Sequence, residues 1–307
     1  MATTTSITTT YAGEFAGKYI SAALLSGSTL SKDLITIKPN VKYKEVMKKV
    51  ASDDIVKDGT CDFTATSTLT LTERILQPEE FQVNLQLCKK DFVSDWEAIS
   101  MGYSAYSDLP ASFSDFLLAH VSSKVAQRIE TNIWAGANAT AGQFDGFETT
   151  LGADADVNDV TATTVTSANV IAQMGAVVDA IPSAVYGAED LTVYVAPNVY
   201  RAYVRALGGF ASNVGAAGTD AKGTQWFNGG ALTFDGINVE LASGMSSDTM
   251  VAAEKSNLFF GTGLLSDTNE VKVIDMADLD GSQNVRVVVR FTAGIQHAIG
   301  GDIVLYA

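Results

Sequence analysis

Two histidines, two cysteines and scattered carboxylates are the groups in this chain that could do chemistry. His120 and His297 stand alone, with no second His or Cys at ligand spacing, so a zinc site has no support and each reads as a structural histidine. Cys61 and Cys88 are too few for a disulfide framework. Asp154-Ala155-Asp156-Val157-Asn158 begins like a calcium loop. It then has Asp159 where glycine is needed and Val165 where a bidentate Glu is needed, so it reads as a solvated acidic loop. Gly261-Thr262-Gly263-Leu264-Leu265-Ser266 departs from the dinucleotide pattern at its last position and reads as a turn between strands. No phosphate loop, nucleophile elbow or Ser-x-x-Lys pair occurs. Catalysis needs groups tuned by their neighbours. None are gathered in this sequence, so no enzyme activity, cofactor or metal is expected.

The elements that would position any function are more telling. Phe63, Ala65, Leu69 and Leu71 alternate with threonines, and Phe81, Val83, Leu85 and Leu87 alternate with Gln82, Asn84, Gln86 and Cys88. Period-two alternation gives a strand one apolar and one polar face. Two such runs around Gln77-Pro78-Glu79-Glu80 read as a long hairpin. Ten residues at ~3.4 Å each make an arm of roughly 34 Å. Cys61 and Cys88 could meet across it. A lone hairpin is at best marginal in water. Its apolar face must therefore lie on this subunit's core or on a neighbour, and the second case points to an assembly protein.

Composition bounds the rest. The chain has 307 residues, a net charge of −15 and only 18% charged residues, which disfavours a general nucleic-acid binder. The cations concentrate early: Lys18, Lys32, Lys38, Lys42, Lys44, Lys48, Lys49 and Lys57 precede residue 60, while none lies between Ile129 and Tyr200. The start lacks the basic and apolar regions of a secretory signal, and no apolar run approaches the ~18 residues of a membrane span. A soluble cytoplasmic product with free thiols is expected, and the Asn138-Ala139-Thr140 sequon is then chance.

Along the chain, residues 1–40 read as an extended arm with a weakly amphipathic patch that includes Phe15 and Tyr19. After Pro110, Ser112-x-x-Asp115 starts a helix, and Phe113, Phe116, Leu117, Val121, Val125, Ile129 and Ile133 give it an apolar face. Lys124, Arg128 and Glu130 are placed on its solvated side, and Gly136 ends it. A second helix follows Ser167 with Val170, Ile171, Met174, Val177, Val178 and Ile181 on one face. Leu191–Val195 is a strand. Pro197-Asn198 opens a helix that buries Tyr200, Tyr203, Val204 and Leu207. Residues 208–230 are a glycine-rich loop, and strands are expected at 231–241, 248–260, 270–275, 284–299 and 302–306.

This order, with its local motifs, resembles the HK97-like major capsid proteins of tailed bacteriophages. Phe144-Asp145-Gly146-Phe147 after the long helix looks like the family's turn. Gly236-Ile237-Asn238-Val239 to Gly244-Met245 resembles a family strand, with Asn238 in place of its usual Pro. Asn257-Leu258-Phe259-Phe260-Gly261, Val285 to Phe291 and Asp302-Ile303-Val304-Leu305-Tyr306 resemble the closing segments.

The resemblance implies an α+β, HK97-like fold. Residues 1–40 would be the N-arm, 41–57 the first part of the peripheral domain, and 58–90 the E-loop. The peripheral domain would continue over 91–160 with a spine helix at 112–135. The axial domain would cover 161–260, peripheral strands would return at 261–299, and 300–307 would end the axial domain. It further implies hexamers and pentamers of this chain forming an icosahedral virion shell around double-stranded DNA, assembled in the host cytoplasm. Scaffolding, portal and decoration proteins would be partners, the DNA would be held by weak non-specific contact, and no membrane is involved. Phe63, Leu69, Leu71, Phe81, Val83, Leu85, Phe15 and Tyr19 are the expected inter-subunit contacts. Arg74 is the only cation between Lys57 and Lys89, so the family's Lys–Asn cross-link is not expected. A separate scaffolding protein, or none, is expected because the arm starts almost at Met1. An encapsulin-type compartment shares the fold and is the alternative; another phage tail or surface protein is a more distant one.

Overall fold

The structure is a computed structural model and describes residues 28–41, 43–52, 56–59, 61, 65–66, 69–88, 90, 111–207, 232–263 and 271–307. The architecture is α+β and rests on two sheets. The first holds β1 (Thr36–Lys38), β10 (Leu258–Gly261), β12 (Asn284–His297) and β11 (Val271–Asp275), with β4 (Glu79–Cys88) also paired to β12. The second has six strands in the order β5 (Asn158–Val160), β13 (Val304–Tyr306), β9 (Met250–Glu254), β6 (Leu191–Val195), β8 (Ile237–Leu241) and β7 (Leu232–Phe234). A separate antiparallel pair joins β2 (Glu45–Ser52) to β3 (Leu69–Leu76).

Sequence pattern explains each layer. Along β12, Val285, Val287 and Val289 are buried while Arg286 and Arg290 are exposed, as a one-sided strand requires. The central strands β6 and β9 read instead as nearly continuous apolar runs, and Val193, Tyr194, Val195, Met250, Val251 and Ala253 are all fully buried. Helix α4 (Val170–Asp179) lays Val170, Met174, Val177 and Val178 on the second sheet, and α5 (Pro197–Leu207) adds Val199, Ala202 and Tyr203. Ile171 and Leu207, expected inside, are 53% and 48% exposed. The helical stripe is narrower than the apolar count suggests, and both residues lie at its margin.

The long helix α2 (Ala111–Ala135) follows its predicted bounds to within a residue. The side chains of Phe113, Phe116 and Leu117 lie outside the described residues. Its C-terminal turns enter the core, where the Trp134 ring lies 5.4 Å from Phe147 and 5.1 Å from Tyr194. Phe147 opens a short helix, α3 (Phe147–Gly152), that the sequence pattern did not separate from its turn.

Glu130 corrects an expectation. It is fully buried on α2 rather than solvated, because the short helix α1 (Ser28–Ser31) covers it. The Thr29 amide donates to Glu130 Oε2 at 3.1 Å, and the Thr29 and Ser28 hydroxyls donate to Oε1 at 2.5 and 3.3 Å. Trp134 Nε1 donates to Thr29 Oγ1 at 2.9 Å, so one buried polar knot ties the early chain to the long helix. Burial pushes the Glu130 carboxyl above its usual range, and these hydrogen bonds pull back against that shift. Lys124 and Arg128 are exposed, as expected.

A second correction concerns strand partners. The two alternating runs do not pair with each other. β3 pairs with β2, with Glu45 opposite Leu76 and Ser52 opposite Leu69. β4 pairs with β12 over ten positions, from Glu79 opposite Ala293 to Cys88 opposite Asn284. The two-stranded arm is therefore built by 45–52 and 69–76 rather than by the runs on either side of Pro78, and Pro78 marks where the chain leaves the arm for the body. Sheet membership also moves β5 into the six-stranded sheet and β10 out of it, relative to the expected divisions at 160 and 260.

Candidate functional site: the two-stranded arm and its root

Directly opposed residues on β2 and β3 share a face. Val46 opposes Ile75, and Leu71 and Leu69 follow on the same face at two-residue steps from Glu73. Val46, Ile75, Leu71 and Leu69 are 45%, 46%, 63% and 70% exposed. The face that this sequence builds as apolar is thus left to solvent in the isolated subunit. Leu69 and Leu71 are the most exposed of these four side chains. Phe15, Tyr19 and Phe63 lie outside the described residues.

β4 carries the other three expected contacts, Phe81, Val83 and Leu85, and it lies along β12 of its own chain. Phe81 stacks on Phe291 at 5.5 Å and lies 6.0 Å from Phe144, against the core of its own chain. Val83 and Leu85 line a cavity of about 480 Å³ between β4 and α2, together with Val121 and Val125. Leu85 is 41% exposed, so of the three only Phe81 is packed against the core; alternation reports which face is apolar and not which strand lies alongside.

The root of the arm is built from close contacts. Gly261 and Gly294 oppose each other on β10 and β12. The fully buried side chain of Leu76 lies over Gly261, where an added Cβ would sit 2.9 Å from Leu76 Cδ2. Gln77 and Pro78 cross Gly294, where a Cβ would sit 2.9 Å from both Gln77 O and Pro78 Cα. Gln296 Nε2 donates to Ile75 O at 3.1 Å.

One ionic contact completes it. Arg74 of β3 donates to Asp154 Oδ2, in the connection between α3 and β5, and His297 Nε2 lies 2.8 Å from the same oxygen. Burial opposes the charge on Asp154. Hydrogen bonds from His297, the Asp156 amide and Arg74 more than offset this and hold the carboxyl below its usual range. Burial pushes His297 down; its hydrogen bond to Asp154 offsets part of this, and the charge of Arg74 adds to the downward shift. The Asp154 carboxylate is committed to these partners, and no group of three metal-ligating side chains is found among the described residues. Cys61 is exposed, Cys88 is half-buried opposite Asn284, and both are free thiols. Sequence reasoning missed this triad. The available signal was Arg74 itself, a lone cation in a Thr-rich strand.

The whole arrangement is that of the HK97-like capsid fold. The capsid of the native GTA particle superposes with a TM-score of 0.61 at 13% identity, covering 92% of this chain and 90% of that chain. The capsid of Myoviridae phage XM1 gives 0.58 at 9% identity, over 100% and 95% of the two chains. A chain of Mycobacterium phage Ogopogo gives 0.57 at 12% identity, over 89% of each. No protein-family model and no curated protein matches the sequence.

Proposed function

We propose that this chain is a major capsid protein whose copies assemble as hexamers and pentamers into an icosahedral virion shell around double-stranded DNA, within the host cytoplasm. The observation that carries the reading is the exposed apolar face of the two-stranded arm, on a fold otherwise found in capsids. Fully burying a leucine contributes ~1.5–3 kcal/mol. Leu69 and Leu71 keep about two-thirds of their surface exposed, so each offers ~1–2 kcal/mol on a neighbour. Contacts of that size are individually reversible and collectively strong when repeated around a closed shell. The net charge of −15 suits a container that holds its DNA loosely, with the Lys-rich early segment as the place for limited phosphate contact. Portal, scaffolding and decoration proteins complete the set of partners.

The test replaces Leu69 and Leu71 together by Asp. Both side chains are mostly exposed, so the subunit is expected to stay folded and soluble while closed shells, or rings of five and six, disappear from negative-stain micrographs and sedimentation profiles. Unimpaired shells from that double variant would show that the arm's leucines do not carry assembly, and wild-type protein that forms neither shells nor rings overturns the capsid reading. The contents of wild-type particles separate a DNA-filled virion from a compartment filled with protein.

A further inference from the structure

Asp154 Oδ2 is shared by two donors on opposite sides of the arm's root. Arg74 comes from the arm, while Asp154 and His297 belong to the body. An ionised carboxylate only accepts, so the imidazole must present its N–H at Nε2. The neutral ring then has its lone pair at Nδ1. That atom is buried without a hydrogen-bond partner, and the residue is 1% exposed.

A proton at Nδ1 would meet two penalties at once. It would create a buried donor with no acceptor. It would also place a second cation on a carboxylate already paired with Arg74. The charged groups facing the ring are Arg74 from β3 and Asp154 from the α3–β5 connection. An imidazolium satisfies Asp154 by itself, so Arg74 becomes redundant and is repelled. Arg74 is the more exposed of the two cations, with 27% of its side chain accessible against 1% for His297, and is the one able to leave for water.

We infer that Arg74, Asp154 and His297 form a proton-responsive joint, closed while the imidazole is neutral and released by a proton at Nδ1, which frees the root of β3 from the body. Opening lets water reach the ring and restores an ordinary histidine that titrates near ~6.5. The closed joint disfavours the proton, so its advantage is present above that value and is lost as pH falls through it. Each unit by which the closed ring titrates below the open one changes the opening equilibrium about tenfold at acid pH. The joint belongs to the single subunit and does not depend on the capsid reading.

The test is hydrogen–deuterium exchange of the purified full chain between about pH 7.5 and about pH 5, corrected for intrinsic rates. Protection of peptides covering 69–78 is expected to fall in the wild type, progressively as pH drops below ~6.5, while peptides covering 191–195 and 250–254 keep theirs. His297→Gln retains a donor for Asp154 but cannot titrate, and its root is expected to hold its protection across the range. A wild-type root indifferent to pH overturns the joint, as does a His297→Gln root that responds like the wild type. Should that variant fail to fold, the ring-proton titration of His297 in the wild type decides, with His120→Gln used for assignment. A midpoint below ~6.5 that tracks the exchange supports the joint, and one at or above it refutes it.

Discussion

Replacing Glu130 by Ala removes the acceptor at the centre of the knot between α1 and α2. The consequence follows donor by donor. The Ser28 hydroxyl keeps Ser243 Oγ at 2.8 Å, and the Thr29 hydroxyl can rotate while still accepting from Trp134 Nε1. The Thr29 amide has neither option. It donates to Glu130 at 3.1 Å from a fully buried residue, and an orphaned buried amide costs ~1–3 kcal/mol. Lost packing of the side-chain stem adds ~1 kcal/mol, and relief from burying a carboxylate returns a similar amount at neutral pH. A net loss of about 2 kcal/mol is expected, read as a lower urea midpoint at unchanged slope. The pH dependence sharpens the test. Burial raises the folded carboxyl above its unfolded value of 4.5. Its linked contribution is therefore complete below that value and lost as pH rises through the folded one. The deficit of Glu130→Ala is expected to widen from neutral pH towards pH 4.5. A deficit under ~0.5 kcal/mol, or one that narrows on acidification, refutes the account.

Other substitutions probe the same architecture. Gly294→Val drives a branched side chain into the Gln77–Pro78 backbone, and a loss of ~2–3 kcal/mol with faster amide exchange at 69–78 is expected. A variant as protected as the wild type would show that the arm does not rest on Gly294. Asn257→Ala removes the acceptor of the Ala298 and Ile299 amides, at 3.1 and 2.8 Å, and the donor to Ile299 O at 2.8 Å. The Ala298 amide keeps the Asn257 backbone carbonyl at 3.1 Å, so only the Ile299 amide is orphaned, and a loss of ~1–3 kcal/mol in urea unfolding is expected; an unchanged midpoint would mean that the turn closes without its side-chain bridge.

Much of the fold was legible because local periodicity is a local property. The spacing from Val121 to Ile133 placed α2, Pro197 placed the start of α5, and the alternation of Val285, Val287 and Val289 placed β12. The order of these elements, with motifs such as Phe144-Asp145-Gly146-Phe147, was enough to suggest the HK97-like fold that the superpositions bear out. The partner of β3 was not legible. Pro78 between two alternating runs has the appearance of a hairpin turn, yet it is the crossing from arm to body, fixed by Gly294, which lies more than two hundred residues away in the chain.

The sequence by itself determined where the helices and strands lie, which of their faces are apolar, and that no cluster of catalytic residue types is written along the chain. Those properties depend on neighbours within a few residues. Only the tertiary structure decided that Phe81 faces its own core while Leu69 and Leu71 face water, that Glu130 is buried under Thr29, and that Arg74 meets Asp154 and His297. Each of these depends on strands and side chains brought together from distant parts of the chain. Hydrophobic periodicity is blind to such pairings, because any strand with the right face can satisfy it.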